Sequence, residues 1–286
     1  MNLNQFLIFN NKTSVMKKYI LLFLFVFSTS AFSQNSLPLK QNLGQKILSD
    51  VSIFFSDGAA YFSYPARMSS TGWLYTAGIA GGLYLSMNAD QYITDHAIRR
   101  TTGSDLMDIP KKYGNVLYSG IATSAIYTVG LLTGEDEVRK VGRMLFQSLA
   151  YSGVTTIALK TIFGRKRPYL DDGPWKFTWF SIDNDMQAFP SGHTTVAFAF
   201  STVLAEYFHT VWSRIGFYGI ASLTAYSRVR DNQHWFTDVV LGALVGIAGG
   251  LHVIAQEKER ESGKTSLSRV SFQPTLNGIS LSIRLN

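Results

Sequence analysis

Six apolar segments, each close to the length of a membrane-spanning helix, organise the sequence between residues 72 and 255. A helix that crosses a bilayer needs about 20 apolar residues, and these segments are near or just below that length. Several contain Gly, Ser and Thr, which suit close helix packing in a membrane or in a soluble bundle. Both possibilities stay open, and both predict an all-α fold. The segments are Gly72–Met87, Val116–Leu132, Met144–Ile162, Thr194–Phe208, Val211–Tyr226 and Val239–Ala255.

The first of three polar clusters lies at the end of the third apolar segment. It contains Lys160 and Arg167, seven residues apart, with Pro168 directly after them. Seven residues are close to two helical turns, so both cations are predicted to lie on one face of a helix that Pro168 ends. An ammonium and a fork-shaped guanidinium on one face suit a tetrahedral oxyanion. The alternative is a basic helix end at a membrane surface.

The second cluster, Pro190-Ser191-Gly192-His193, directly precedes the fourth apolar segment. Free backbone N–H groups at a helix N-terminus, a serine hydroxyl and a glycine that admits an anion close to the backbone predict an oxyanion pocket. His193 is expected beside that pocket. The same four residues also make an ordinary helix start, which is the alternative interpretation.

The third cluster places His234 and Asp238 four residues apart, after Ser227-Arg228. This spacing predicts that both side chains stack on one helix face. The carboxylate would accept the proton of one ring nitrogen and leave the other nitrogen free as a nucleophile. Arg228 would add a further positive charge. A His/Asp pair at this spacing is also typical of a purely structural hydrogen bond.

Taken together and in this order, the motifs K-x6-R-P, P-S-G-H and S-R-x5-H-x3-D resemble the type 2 phosphatidic acid phosphatase family, whose site is shared with the vanadium haloperoxidases. Every defining position of that pattern is filled in this sequence. The resemblance covers roughly residues 72–255 in helix layout. It implies a six-helix bundle, associated with a membrane, whose site lies at one end.

The resemblance also implies a role for each motif residue. His234 would attack phosphorus to form a phosphohistidine, Asp238 would orient that imidazole, and His193 would protonate the leaving oxygen and then activate water. Catalysis would rest on positioning and charge neutralisation, without a metal or other cofactor. The residues expected to bind the phosphoryl oxygens are Lys160, Arg167, Ser191, Gly192 and Arg228.

The motifs and the resemblance together predict a phosphatase that removes a phosphate monoester or pyrophosphate, with a phosphorylated lipid as the leading substrate class. A soluble periplasmic acid phosphatase that acts on small phosphoesters is the second hypothesis. Vanadate-dependent halide oxidation and a non-catalytic envelope protein are further alternatives. An aromatic-rich loop, Tyr169–Phe189, could bind an acyl or prenyl chain or form a packed lid. The net charge of +7 fits anionic substrates or headgroups, and nucleic acid is not an expected partner.

The two ends of the chain differ in character from the apolar middle. Met16 is predicted to be the start of a secretory signal that ends near Ser33, with an uncleaved anchor as the alternative. Residues 34–71 form a mixed segment in which Ile47–Phe62 is a candidate helix, and residues 72–255 form the phosphatase domain. Residues 256–286 are predicted to be a charged linker followed by a small β-hairpin around Asn277-Gly278.

The location of the site follows from the signal and the number of spans. If every apolar segment spans, Lys160 would face the cytoplasm, whereas membrane members of the family generally face the site outward. The site would instead face outward if Ile47–Phe62 also entered the membrane or if one early segment did not span it. It would also lie outside the cytoplasm if the bundle were soluble or peripheral in the periplasm. The sequence therefore predicts the bacterial envelope, at the inner membrane with a periplasm-facing site or in the periplasm. The sequence gives no oligomeric state.

Overall fold

A computed structural model describes residues 42–99, 108–262, 270–275 and 278–283. The predicted signal segment lies outside these residues. The α-helices are α1 Leu43–Ser63, α2 Ser70–Ser86, α3 Asp90–Arg99, α4 Asp108–Tyr113, α5 Val116–Thr133, α6 Asp136–Phe163, α7 Gly192–Phe208, α8 Val211–Arg230 and α9 Phe236–Glu261. Short 3-10 helices are formed by Pro65–Arg67, Met87–Ala89, Pro168–Leu170 and Asn184–Met186.

The helical fold is confirmed, but the count of six helices is not. Each of the six apolar segments corresponds to one helix, in the order α2, α5, α6, α7, α8 and α9, although α6 begins eight residues earlier and α9 ends six residues later than predicted. The candidate helix at Ile47–Phe62 lies within α1. The structure adds α3 and α4, two short polar helices that hydrophobic periodicity did not indicate.

The core of the described bundle is the contact of α9 with α6 and α7. Small residues on α9 allow close approach of the helix backbones. A Cβ atom at Gly246 would lie 2.5 Å from the carbonyl oxygen of Thr195 on α7. One at Gly249 would lie 2.0 Å from Oγ of Ser152 on α6. Gly246 therefore lets the middle of α9 pack against the first turn of α7, and Gly249 lets it pack against α6.

Helix α1 is attached at the far end of the bundle by buried ion pairs. Asp57 accepts hydrogen bonds from both terminal nitrogens of Arg260 at 2.9 and 2.8 Å and from Gln147 at 2.8 Å. Asp50 pairs with Arg143, with 3.1 Å between Nε and Oδ1. Arg143 precedes Lys160 by 17 residues on α6, which corresponds to about 26 Å of helix. The ion pairs and the predicted site thus lie at opposite ends of α6.

Several helices expose apolar side chains. None of the residues of α2 is buried, although the helix carries Trp73, Leu74 and Tyr75. Among the described helices, α5 and α9 are long and apolar enough to cross a membrane by length and composition alone, and half of the apolar stretch of α9 is buried inside the protein. These features are compatible with membrane association.

Two β-strands, β1 Val270–Thr275 and β2 Gly278–Ile283, follow the helices and pair antiparallel. Val270 lies opposite Ile283, and Thr275 lies opposite Gly278.

Candidate active site

The three predicted clusters lie at one end of the bundle, where α6 and α8 end and where α7 and α9 begin. Direct contacts connect them: the N–H of Ser191 donates to the carbonyl oxygen of Asp238 at 2.9 Å. The Cβ position of Gly192 lies 3.7 Å from Cε of Lys160. The backbone N–H of His234 donates to the carbonyl oxygen of Arg228 at 3.3 Å.

Lys160 lies in the last turn of α6, which ends four residues before Arg167. The chain leaves the helix at Gly164, whose φ of +54° is in the left-handed region that favours glycine. A Cβ atom there would lie 1.7 Å from the carbonyl oxygen of Thr178, so the loop packs directly on this glycine. The prediction that Lys160 and Arg167 share one helix face is therefore wrong. Both nevertheless reach the same site, because the chain turns back after Gly164.

Arg167 is positioned by the loop rather than by a helix. Its Nε donates to the carbonyl oxygen of Asn184 at 3.0 Å, and its Nη1 donates to Oε1 of Gln233 at 3.3 Å. Gln233 directly precedes His234, so these contacts bring the guanidinium next to the histidine turn. Lys160 donates from Nζ to the carbonyl oxygen of Gln187.

Ser191 is the N-cap of α7 and is fully buried. Its backbone N–H donates to the carbonyl oxygen of Asp238, so the N–H groups expected to face an anion are those that follow Ser191 in the first turn. Its Oγ accepts a hydrogen bond from Oγ1 of Thr194 at 3.0 Å. Among the described residues, the hydrogen of the Ser191 hydroxyl is left to donate to an anion. His193 follows in the first turn of α7 and is half-buried.

The hydrogen bonding of His234 determines its tautomer. Nδ1 lies 2.8 Å from the carbonyl oxygen of Ala188 and 3.5 Å from Oδ2 of Asp238. A carbonyl oxygen can only accept, so the proton of the neutral ring is on Nδ1 and Nε2 carries the free lone pair. The principal acceptor is thus Ala188, and Asp238 faces the same nitrogen from a greater distance.

The prediction that His234 and Asp238 stack on one helix face is also wrong. Helix α9 begins at Phe236, so His234 lies in the preceding turn. Asp238 occupies the first turn of α9, where Oδ2 accepts the N–H of Trp235 at 2.8 Å and caps the helix. The two side chains meet instead because Asp238 caps the first turn of α9 and His234 lies in the turn that precedes this helix.

Both histidines lie outside the six apolar segments, and both have lowered pKa values. Burial lowers the pKa of His234 to about 3, with Asp238 opposing and Lys160 adding to the effect. Burial, and then the charges of Arg228, Lys160 and Arg167, lower the pKa of His193 to about 4. Both imidazoles are therefore neutral near pH 7.

The three cations of the site lack carboxylate partners. Within the described residues, Lys160, Arg167 and Arg228 form no salt bridge, whereas Arg139, Arg143 and Arg260 at the far end all do. Nε of Arg228 is buried without a hydrogen-bond partner there. A buried donor without a partner is costly, and an anion bound between these cations would satisfy it.

Sequence reasoning missed Arg165 and Asp90, two fully buried residues behind Asp238. Nη1 of Arg165 lies 2.7 Å from Oδ1 of Asp238, and its Nη2 lies 2.7 Å from Oδ2 of Asp90. Arg165 is part of the first cluster, where its position between Lys160 and Arg167 was the available signal. Asp90 follows the first apolar segment, and nothing in the surrounding sequence indicated it.

The geometry defines a cluster of three cations at one end of a helical bundle, beside an imidazole held in one tautomer. A family model described as PAP2 superfamily matches residues 142–262, which include all three clusters. The resemblance predicted from the motifs is therefore confirmed for this part of the chain.

Relatives with assigned names support the same family. A lipid A 1-phosphatase of Porphyromonas gingivalis is 40% identical over 93 residues, which are 32% of this chain and 18% of that protein. A lipid A 1-phosphatase of Rhizobium etli is 34% identical over 108 residues, 37% of this chain and 46% of that protein. A putative undecaprenyl-diphosphatase of Escherichia coli is 32% identical over 90 residues, 32% of this chain and 43% of that protein. The chain thus spans less than half the length of each of these relatives.

A solved structure shows the same fold. The transmembrane PAP2 type phosphatidylglycerolphosphate phosphatase of Bacillus subtilis superimposes with a TM-score of 0.53 at 20% sequence identity. The match covers 65% of this chain and 94% of that one. At this identity the similarity concerns the helical fold and carries no statement about substrate.

Proposed function

We propose that this protein is a metal-independent phosphatase that hydrolyses a phosphate monoester or pyrophosphate of a lipid through a phosphohistidine at His234. The observation that carries the proposal is the position of His234, whose Nδ1 proton is donated to the carbonyl oxygen of Ala188. Beside it lie three cations that form no salt bridge within the described part of the chain. That arrangement leaves Nε2 as a neutral nucleophile next to a site for an anion. The PAP2 family match over residues 142–262 supports this assignment.

In the first step, the Nε2 lone pair of His234 forms a bond to phosphorus while the ester P–O bond breaks. The ring becomes positively charged, and Oδ2 of Asp238 lies 3.5 Å from Nδ1, where it stabilises that charge. Lys160, Arg167 and Arg228 hold the phosphoryl oxygens and neutralise the charge that develops on them.

His193 supplies the proton that the leaving oxygen needs. Burial and then the neighbouring cations lower the pKa of His193, which disfavours the protonated form. A phosphate dianion compensates those charges, so binding of the substrate raises the pKa of His193 and favours protonation when the proton is required. In the second step the neutral ring accepts a proton from water as its oxygen attacks phosphorus, and the N–P bond breaks to restore neutral His234.

The second cluster completes the oxyanion cradle in this proposal. The Ser191 hydroxyl donates to a phosphoryl oxygen, and Gly192 permits close approach of that oxygen to the backbone beside Lys160. The hydrogen bond from the Ser191 N–H to the Asp238 carbonyl oxygen keeps the oxyanion cradle and the nucleophile His234 at a fixed separation.

A lipid is the proposed substrate because of the surface around the site. Helix α2 exposes its apolar side chains, and the loop beside the site exposes Trp179, Phe180 and Ile182. Part of that loop is packed, since the ring of Phe163 lies 5.6 Å from that of Trp179. The names of the relatives, lipid A 1-phosphatase and undecaprenyl-diphosphatase, describe lipid substrates. We place the protein at the inner membrane, with the site facing the periplasm.

The test is phosphate release by purified protein in detergent, in EDTA, from a panel of lipid phosphates and an aryl phosphate. The panel includes lipid A 1-phosphate, undecaprenyl diphosphate, phosphatidylglycerol phosphate and phosphatidic acid. We expect release from at least one lipid that His234→Ala abolishes. His209→Ala is the matched control, because His209 is exposed at the opposite end of α7.

Three outcomes would change the proposal. Release from the aryl phosphate alone would favour the soluble acid phosphatase instead. Loss of activity in EDTA that added metal restores would contradict the metal-independent mechanism. Activity that survives His234→Ala would remove the phosphohistidine from it.

A further inference from the structure

We propose that Asp90, which lies on α3 outside the family match, is a positioning residue of the active site. Together with Arg165 it holds Asp238 and the first turn of α9 in the geometry in which His234 reacts. This inference rests on the proposed function and adds to it a residue that the three motifs do not contain.

Arg165 is the centre of the buried network. Its side chain is fully buried, and each of its five N–H groups has an acceptor. Nη1 donates to Oδ1 of Asp238 at 2.7 Å and to Oγ1 of Thr237 at 2.8 Å. Nη2 donates to Oδ2 of Asp90 and to the carbonyl oxygen of Pro174, both at 2.7 Å. Nε donates to the same carbonyl oxygen at 2.9 Å.

Asp90 connects this guanidinium to the start of α9. Its Oδ1 accepts the backbone N–H of Thr237 at 2.9 Å. Its Oδ2 accepts the hydroxyl of Thr237 at 2.6 Å as well as Nη2 of Arg165. Asp90 is fully buried, so three donors hold this carboxylate and water does not compete for it.

Arg165 is connected to the nucleophile, His234, by two sets of hydrogen bonds and contacts. Through its side chain it holds Oδ1 of Asp238, whose Oδ2 faces Nδ1 of His234 at 3.5 Å. Through its backbone, the carbonyl oxygen of Arg165 accepts the N–H of Ala188 at 2.9 Å, and the Ala188 carbonyl accepts from His234. Arg165 therefore places both oxygen atoms that face Nδ1 of the nucleophile.

Asparagine cannot replace Asp90 in this network. A carboxylate offers two acceptor oxygens, whereas an amide offers one oxygen and one NH2 group. The amide oxygen of the Asp90→Asn variant could accept from Thr237 or from Arg165, but the NH2 group would then face a donor. The variant would therefore lose either the contact of Asp90 with Arg165 or its contact with the Thr237 N–H at the start of α9, although Asp90 itself has no described contact with His234 or with the three cations.

The experiment measures phosphohistidine formation in a single turnover by rapid quench, with wild-type protein and the Asp90→Asn variant. The rate constant of a single turnover does not depend on the fraction of protein that is active, whereas the amplitude does. We expect the rate constant to fall on the order of 100-fold, the scale of a small misplacement of a catalytic group. The inhibition constant of inorganic phosphate should change by less than about twofold, because its cationic ligands are untouched.

Asp50→Asn is the matched control. Asp50 is also a buried aspartate paired with arginines, but it lies at the far end of the bundle. We expect its rate constant to equal that of the wild type. If Asp90→Asn does not yield folded protein, Thr237→Val and Thr237→Ser decide the question, because only the valine removes the hydroxyl that Asp90 accepts. A lowered rate constant with valine and a retained one with serine would support the inference.

Other results would contradict it. A wild-type rate constant in Asp90→Asn, with or without a reduced amplitude, would show a structural role only and leave the proposed function intact. Equal rate constants in the two Thr237 variants would have the same meaning. If wild-type protein forms no phosphohistidine from any substrate, the proposed function fails, and this inference fails with it.

Discussion

Replacing Arg165 with methionine removes a fully buried positive charge that lies between two buried carboxylates. The guanidinium pairs with Asp90 and Asp238, each at 2.7 Å, and all three side chains are excluded from solvent. Methionine has a similar length and no charge. The variant therefore tests the electrostatic role of Arg165 with little change in packing.

The expected loss of stability is large. Removing one partner of a buried ion pair costs about 3–5 kcal/mol, because the remaining charge has no compensation. For a protein with a free energy of unfolding of about 5–15 kcal/mol, this is a substantial fraction. At about 2–4 °C per kcal/mol, we expect the melting temperature to fall by about 6–20 °C. Arg214→Met is the control, since its pair with Glu206 is exposed and should contribute less than about 1 kcal/mol.

A double variant distinguishes charge from packing. Asp90→Asn alone leaves Arg165 with one carboxylate partner and should cost about 1–3 kcal/mol. In the combination with Arg165→Met, only Asp238 is left as an unpaired anion. The loss of unfolding free energy in the double variant should therefore be smaller than the sum of the two single losses by about 0.5–3 kcal/mol.

The measurement is thermal unfolding in detergent, followed by the far-ultraviolet circular dichroism of the helices. Strict additivity of the two substitutions would contradict the electrostatic coupling. A fall in melting temperature for Arg165→Met no larger than that of Arg214→Met would show that the Arg165 ion pairs do not stabilise the protein more than an exposed pair does.

Three further predictions concern the backbone, the phosphate cradle and pH. Gly164→Ala should lower the melting temperature more than Gly134→Ala, because both glycines have positive φ but only the first would bring a Cβ against a backbone oxygen; equal losses would contradict this. Arg228→Gln should lower kcat/KM by about 10- to 100-fold, the value of one charge-assisted hydrogen bond, and a loss below about threefold would count against a phosphate contact. The folded-state pKa of His234 is about 3, below the ordinary 6.5, so stability is full above pH 6.5 and falls as the pH drops towards 3. His234→Gln should reduce the difference in melting temperature between neutral and acidic buffer, and an unchanged difference would contradict the pKa.

The positions of the six apolar helices, and the end of the bundle at which the site lies, were predictable because they depend on the local pattern of the sequence. Apolar segments of near-spanning length mark α2 and α5 to α9, and charged residues and histidines at their boundaries mark one end of the bundle. Lys160, Ser191 and Asp238 were expected at helix boundaries, and the structure places them there. Their catalytic roles stay predictions.

The details of how side chains meet were not predictable from spacing. Residue spacing assigns a common face only if a helix continues, and α6 ends at Gly164 before Arg167 while α9 begins after His234. A glycine in the left-handed region and a capping aspartate change the direction of the chain at these two points. The acceptor of His234, the carbonyl of Ala188, is a backbone atom and leaves no trace in the residue pattern.

By itself, the sequence determined the class of fold, the end of the bundle that carries the site and the chemistry of its polar groups, because residue type and helix length are local properties. Only the tertiary structure decided the tautomer of the nucleophile and the network behind it. Asp90 and Arg165 are 75 residues apart, and they meet because α3 and the end of α6 both pack against the start of α9. Such a contact depends on the arrangement of whole helices, which no short segment of sequence encodes.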